Sequence, residues 1–158
     1  MGVAMILESI GKRFGDKVKV KERRDGKFDI YVNPDMVLPL ISFLKTSKFD
    51  HLTFITCVDW IKEKEFELVY NLFSYEIRKE VFVKVRVSRE KPEVESIVPV
   101  YEIAETYERE IHEMFGVYFA GNDNLTPIFL EDWKGPPPMR KDFNALEYSN
   151  EKYEVKNG

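Results

Sequence analysis

Phe66-Glu67-Leu68-Val69-Tyr70-Asn71-Leu72-Phe73-Ser74-Tyr75 is apolar on both sides of a two-residue period. Phe66, Leu68, Tyr70 and Leu72 fall on one face, Val69, Phe73 and Tyr75 on the other. A strand with two apolar faces belongs inside a sheet with material on both sides, so the pattern predicts a central strand covered twice. Its neighbours in the chain also read as strands. Leu52 to Ile61 and Val81 to Val87 are rich in β-branched and aromatic residues, and in the second Val81, Val83, Val85 and Val87 oppose Lys84 and Arg86.

Upstream, Val3, Ile6, Ile10 and Phe14 recur every three or four residues before Gly15, the signature of an amphipathic helix with a C-terminal stop. Lys17 to Arg23 begins by alternating Lys with Val, and Phe28, Ile30 and Val32 alternate after Asp25-Gly26. That dipeptide is a strong two-residue hairpin signal. Met36 to Lys45 reads as a second helix. Asp35 is its expected cap, because this choice puts Pro39 among first-turn positions that owe no N–H bond.

Downstream, Pro92 and Pro99 bracket an irregular connection to a third helix. At about 100° per residue Ala104, Tyr107, Ile111, Met114 and Phe115 share one arc, and Gly116 follows as the stop. Glu108 falls inside that arc. A carboxylate there needs a proton or a cation, and Arg109 or Arg140 is the expected partner. The order helix, two strands, helix, three strands, helix makes an α+β fold: a mostly antiparallel sheet with helices packed on it. Beyond it the expected divisions are a domain at 1–121, an extended irregular arm at 122–148 and a disordered tail at 149–158. The arm contains Ile128, Phe129, Leu130, Trp133, Met139 and Phe143 without any period, and Pro136, Pro137 and Pro138 as a stiff spacer. Such large apolar residues must bury against the domain or a partner.

Several stretches resemble the C subunit family of respiratory complex I, the mitochondrial thirty-kilodalton subunit, and its relatives in energy-converting hydrogenase complexes. The motif helix and the residues after it carry Glu108, Arg109 and Glu110, then Met114, Phe115, Gly116 and Val117, then Phe119 and Gly121. Met139, Arg140, Lys141, Asp142 and Phe143 are similar to the family's closing Leu-Arg-Lys-Asp-Phe. Val58-Asp59-Trp60 and Phe66 to Leu72 resemble its Val-Asp-Tyr and its Phe-Glu-Val-Val-Tyr-His-Leu strand, so the likeness covers roughly 50 to 144. Where quinone-linked members carry Gly-His-Pro, this chain has Gly121-Asn122-Asp123, and a second Gly-His-Pro is replaced by the proline run. These departures favour the hydrogenase-type or archaeal branch over a quinone-linked NADH dehydrogenase.

Composition narrows the chemistry. The chain has 158 residues and a net charge of −4, so it lacks the basic footprint of a nucleic-acid binder. Residues 1–50 hold ten Lys or Arg against seven Asp or Glu, and the acidity lies beyond them. Charged residues make up 33% of the chain, weighted to Lys and Glu, which leans toward a thermophile source. One cysteine, Cys57, excludes a disulfide framework and fits a reducing setting. An iron–sulfur cluster usually takes four cysteines, and a structural zinc four Cys or His ligands, against Cys57, His51 and His112 here. No glycine pattern encodes a dinucleotide cradle or P-loop. A cysteine hydrolase using Cys57 and His112 is the sharpest enzymatic alternative. Against it, Cys57 sits in a strand, where a free thiol is usually a small core hydrophobe. The glutamates at 102, 105, 108, 110 and 113 scatter around their helix rather than converging on a metal.

The longest apolar run, Met36 to Leu44, is shorter than the ~20 residues of a membrane helix. Any membrane contact is therefore expected through other subunits. The resemblance implies a peripheral, non-redox subunit on the cytoplasmic side of the membrane, without a cofactor of its own. Its implied partners are a large catalytic (D-type) subunit and an iron–sulfur (B-type) subunit that carry iron–sulfur clusters and, in hydrogenases, nickel–iron. The residues expected at that interface are Glu108 to Glu110, Phe115, Gly116, Phe119, Gly121, Trp133 and Pro137 to Phe143. A stand-alone enzyme or regulatory module is the distant third reading.

Overall fold

The computed structural model describes residues 2–126 and 136–141. In chain order it contains α1 (Val3–Phe14), β1 (Val18–Glu22), β2 (Phe28–Val32), α2 (Val37–Thr46), β3 (His51–Trp60), β4 (Glu65–Ser74), β5 (Lys79–Ser88), β6 (Glu93–Glu95), α3 (Ala104–Phe115) and β7 (Tyr118–Ala120). The fold is α+β, as the order of patterns predicts. β1 to β5 form one sheet in the order β1-β2-β5-β4-β3, and β6 pairs with β7 in a small second one.

Three of the four pairings in the large sheet are antiparallel, and β2 runs parallel to β5. That parallel pair closes the first hairpin onto the later meander, a non-local contact with no local signal. The parallel β6–β7 pair joins strands of three residues, too short to show a period. The hairpin itself turns more loosely than Asp25-Gly26 predicts. Pairing starts at Glu22 and Phe28, and the loop is closed by Arg23 N–H to Lys27 O at 2.8 Å and Gly26 N–H to Arg23 O at 3.1 Å. Asp35 does not cap α2: it sits in a short 3-10 turn and pairs with Lys17 at 3.5 Å. Pro39 still falls in the first turn of α2.

The core lies on one side of the sheet. Phe66, Leu68, Tyr70 and Leu72 meet Val81 to Val87 of β5 and Ile30 of β2, and Ile6, Ile10, Leu40, Leu44 and Ile111 from the three helices complete the same cluster. The other face of β4 is covered as well, though not throughout: of the residues expected there Val69 is buried, Phe73 is half-buried, and Tyr75, beyond the end of the strand, is 67% exposed. Val69 is covered where β4 lies beside Lys84 of β5. Glu67 takes bonds from Trp60 Nε1 and Arg86 Nε, each at 3.4 Å, and Asn71 donates to Glu80 at 2.7 Å. Long polar side chains thus roof that face, with the Arg23 guanidinium 4.2 Å above Phe82 and that of Arg86 4.8 Å above Trp60.

Candidate docking site

α3 packs on β3 and brings the motif residues to one end of the sheet. It ends where Gly116 turns left-handed, φ 83°, and donates its N–H to His112 O at 2.9 Å. Only glycine takes this backbone without strain. A Cβ added at Gly116 would also stand 3.0 Å from Pro137 Cγ. The proline run therefore sits directly on the helix end. Phe119 is fully buried in β7, and Gly121, φ 95°, turns the chain out of that strand.

Glu108 is completely buried, but its partner is not an arginine. Its Oε1 accepts from Ser96 Oγ at 2.6 Å and Asn122 Nδ2 at 3.0 Å, and Oε2 accepts from Ile97 N–H at 2.9 Å. The Ser96 oxygen itself takes the Val98 N–H at 3.1 Å, leaving its hydrogen for the glutamate. The expected guanidiniums go elsewhere. Arg109 donates to the carbonyl and hydroxyl of Thr126 at 3.2 and 3.1 Å, and Arg140 lies 5.3 Å from the centre of the Phe66 ring. Three dipoles do what a cation was expected to do, a cage of donors that fits an anion without bringing a second charge into the core. Burial pushes the Glu108 carboxyl above its ordinary value, and the bonds from Ser96, Ile97 and Asn122 pull it back in part.

From this cage a line of side-chain bonds fastens residues 122–126 along α3. Asn122 Oδ1 accepts the Asn124 N–H at 2.9 Å, Asn124 Nδ2 donates to Glu105 at 2.7 Å, and the Thr126 hydroxyl donates to Asn124 Oδ1 at 3.0 Å. Arg109 then closes the line at Thr126. Glu110, the third residue of the motif, is exposed.

The chain returns at Pro136–Lys141 and is fastened a second time. Met139 N–H donates to Met114 O at 2.9 Å, and Lys141 N–H donates to Asp59 Oδ2 at 2.7 Å. Asp59 is buried and paired with Arg89. The Nη2 bond to Oδ2 is 3.1 Å, while Nε stands 2.8 Å from Oδ1 with its hydrogen turned off line. The Arg89 and Arg140 guanidiniums each lie 5.3 Å from the Phe66 centroid, and Phe115 meets the same ring edge-on at 5.9 Å. Pro137 and Pro138 are half-buried and Met139 is 57% exposed. Trp133, Asp142 and Phe143 lie outside the described residues, as do Ile128, Phe129 and Leu130.

Of the residues singled out in the sequence, Glu108, Arg109, Phe115, Gly116, Pro137, Met139, Arg140 and Lys141 come together here. Ser96, Asn122, Thr126 and Arg89 belong to the same arrangement without having been expected. Asn122 had one signal, its place in Gly121-Asn122-Asp123, where this chain departs from the pattern it resembles. Cys57 is buried beside this region, and burial with the nearby Asp59 charge pushes its thiol up to about 12. A thiol held there stays protonated at neutral pH. His112 Nδ1 lies 2.8 Å from the Val117 carbonyl and so carries the proton toward it.

No described helix is long and apolar enough to cross a membrane. The family model for the respiratory-chain NADH dehydrogenase, 30 Kd subunit, matches residues 30–149. The chain is 34% identical over 149 residues to the C subunit of the F(420)H(2) dehydrogenase of Methanosarcina mazei, covering 92% of this chain and 94% of that one. It is 37% identical over 129 residues to the mitochondrial NADH-ubiquinone oxidoreductase 30.4 kDa subunit of Neurospora crassa, covering 79% of this chain and 45% of that one, so it spans less than half of that relative. Among solved structures it is similar to a chain of the membrane-bound sulfane sulfur reductase, an archaeal respiratory membrane complex, with 35% identity, a TM-score of 0.85 and coverage of 98% and 93%. The chain therefore belongs to the family of the respiratory-chain NADH dehydrogenase 30 Kd subunit, which makes it a C subunit of a complex I-like or archaeal membrane-bound respiratory complex.

Proposed function

We propose that this subunit is non-redox and acts by position: it holds the large catalytic (D-type) subunit beside the iron–sulfur (B-type) subunit on the cytoplasmic side of the membrane, and carries no cofactor itself. The observation that supports this most is the double fastening of the segment after β7. Residues 122–126 are tied to α3 and residues 136–141 to α3 and β3, while Met139 stays largely exposed. A segment anchored at two points and presenting an apolar side chain outward is suited to grip a companion, because its entropy of ordering is already lost before binding. The conformation of the anchored residues costs nothing further when the partner arrives.

The archaeal complexes are the favoured setting. The end-to-end coverage of the Methanosarcina mazei subunit and the sulfane sulfur reductase chain supports it, together with the replacement of both Gly-His-Pro motifs. The match to the Neurospora crassa subunit supports a quinone-linked NADH dehydrogenase as the second reading. Truncation after Thr126 separates docking from folding, since it keeps the Glu108 cage and the Arg109 bond. The expected result is a cooperatively folding chain that no longer co-purifies with the large subunit. Retained co-purification would show that the arm does not carry binding. Sequencing the large subunit retained by the full-length chain distinguishes the two settings, because two Cys-x-x-Cys pairs in it would mark a nickel–iron type of site.

A further inference from the structure

The two edges of the five-stranded sheet are built differently. β1 has five residues and places Lys19 and Lys21 on it, a common way of discouraging further strand pairing. β3 has ten residues and, from Leu52 to Val58, neither a charge nor a proline. Its partner among the described residues is β4 alone. Alternate residues of β3 must therefore turn a backbone N–H and C=O away from the sheet. At the bulge, the Thr53 carbonyl takes the Tyr107 hydroxyl at 2.8 Å.

Further along, Ile55, Thr56 and Cys57 all line one cleft of about 280 Å³. Successive strand residues point to opposite faces. A cleft touching three in a row consequently lies against the backbone edge itself. Ile111, Met114, Phe115 and Met139 form its apolar wall, with Glu110 also lining it. A helix, whose backbone bonds are satisfied internally, has no donors or acceptors to offer such an edge, whereas an extended peptide has both at strand spacing. Charge argues against a second copy of this chain as the occupant. A twofold pairing would set Glu110 and the other glutamates of α3 against themselves, whereas a basic residue beside the apolar one would complement them.

We propose that the β3 edge at Ile55–Cys57 receives an extended segment of a partner subunit as a sixth strand, with one apolar side chain in the cleft and a Lys or Arg facing Glu110. The inference rests on the docking reading and adds the place and form of the contact. Two measurements on the complex purified through a tag on this chain test it. Amide exchange of residues 55–57 is compared with that of the full chain purified alone, and a benzoylphenylalanine is placed at Thr56 or at Val58 for photo-crosslinking. At least one of the three amides is expected to slow tenfold or more in the complex. The two crosslinkers, two residues apart on one face, are expected to reach positions about two residues apart in one peptide of another subunit. Unchanged exchange in an intact complex overturns the inference and leaves the docking reading standing, as do crosslinks that stay within this chain or join two copies of it. Failure of any complex to co-purify overturns both.

Discussion

Glu108 and Asp59 are two buried carboxylates at the same end of the molecule, 0% and 3% exposed, and they are stabilised by different means. Asp59 faces a full opposite charge in Arg89 and takes the Lys141 N–H besides. Glu108 is met by neutral donors from the connection that follows β6 and from the loop after β7. An ion pair is costly to break, because removing one member leaves the other charged and stranded. A cage of dipoles loses its members one at a time. Both devices fasten the segment leaving the domain, but the ion pair acts as a single unit and the cage as several small ones.

The largest expected effect follows from the ion pair. Arg89→Ala leaves the Asp59 carboxylate buried with the Lys141 N–H as its remaining bond, and should destabilise the fold by about 3–5 kcal/mol in urea titration. The double variant Asp59→Leu with Arg89→Met removes both charges together and should recover most of that loss. If the single variant melts like the parent, Arg89 is not what makes the burial of Asp59 tolerable, and the contrast with Glu108 disappears.

Glu108→Gln tests the other side. The amide presents one acceptor and one donor to three groups that donate. Ser96 can reverse its hydroxyl, but the Asn122 amide and the Ile97 N–H then compete for one oxygen. A loss of about 1–3 kcal/mol is expected, below that of Arg89→Ala. The pH dependence fixes the sign. Burial raises the Glu108 carboxyl from its ordinary 4.5, so the folded state holds this proton more tightly than the unfolded chain. Its contribution to stability is fully present below the unfolded value and is lost as pH rises through the folded one. Asp29 runs the opposite way. Burial raises it, but the Arg23 bonds and Lys84 outweigh that and lower it overall, so its contribution is lost as pH falls. Subtracting the Gln variant from the parent cancels Asp29, and the stability of Glu108→Gln relative to the parent should rise as pH climbs above the ordinary carboxyl value of 4.5. A deficit that grows with pH would make Glu108 a stabilised anion of the ion-pair kind.

The sequence shows this end of the molecule unevenly. The α3 arc and the stop at Gly116 are legible because helix period and left-handed glycine are local signals. Glu108 was recognisable as the odd residue, since a carboxylate on an apolar stripe always demands an account. Its partners were not. Ser96 and Asn122 lie 12 and 14 residues away in sequence and carry no charge, while the nearby Arg109 offered the more obvious match. Arg89 lies 30 residues from Asp59, and nothing local to either residue announces the pair. The alternation in β4 marked the core face correctly and Val69 on the other, but Tyr75 is exposed, and the rest of that face is closed by Glu67 and Asn71, whose bonds to Arg86, Trp60 and Glu80 the apolar pattern could not show. The capping expectation for Asp35 failed for a related reason: Lys17, 18 residues upstream, competes for the same carboxylate.

The smallest effect tests whether the cage is modular. Asn122→Ala removes one donor from Glu108 and also the acceptor of the Asn124 N–H, while Ser96 and Ile97 still hold the carboxylate. Ser96 and Ile97 cannot fasten the loop, because neither belongs to it. The expected global loss is therefore only about 0.5–1.5 kcal/mol, but amide exchange at residues 123–126 should quicken far more than at α3 or β6. Uneven loss of this kind is what separates a cage from an ion pair: one strut fails, and the charge it served stays satisfied by the others. If Asn122→Ala instead loosens α3 and β6 together with the loop, the three donors act as a unit, and Glu108 and Asp59 are fastened by one principle after all.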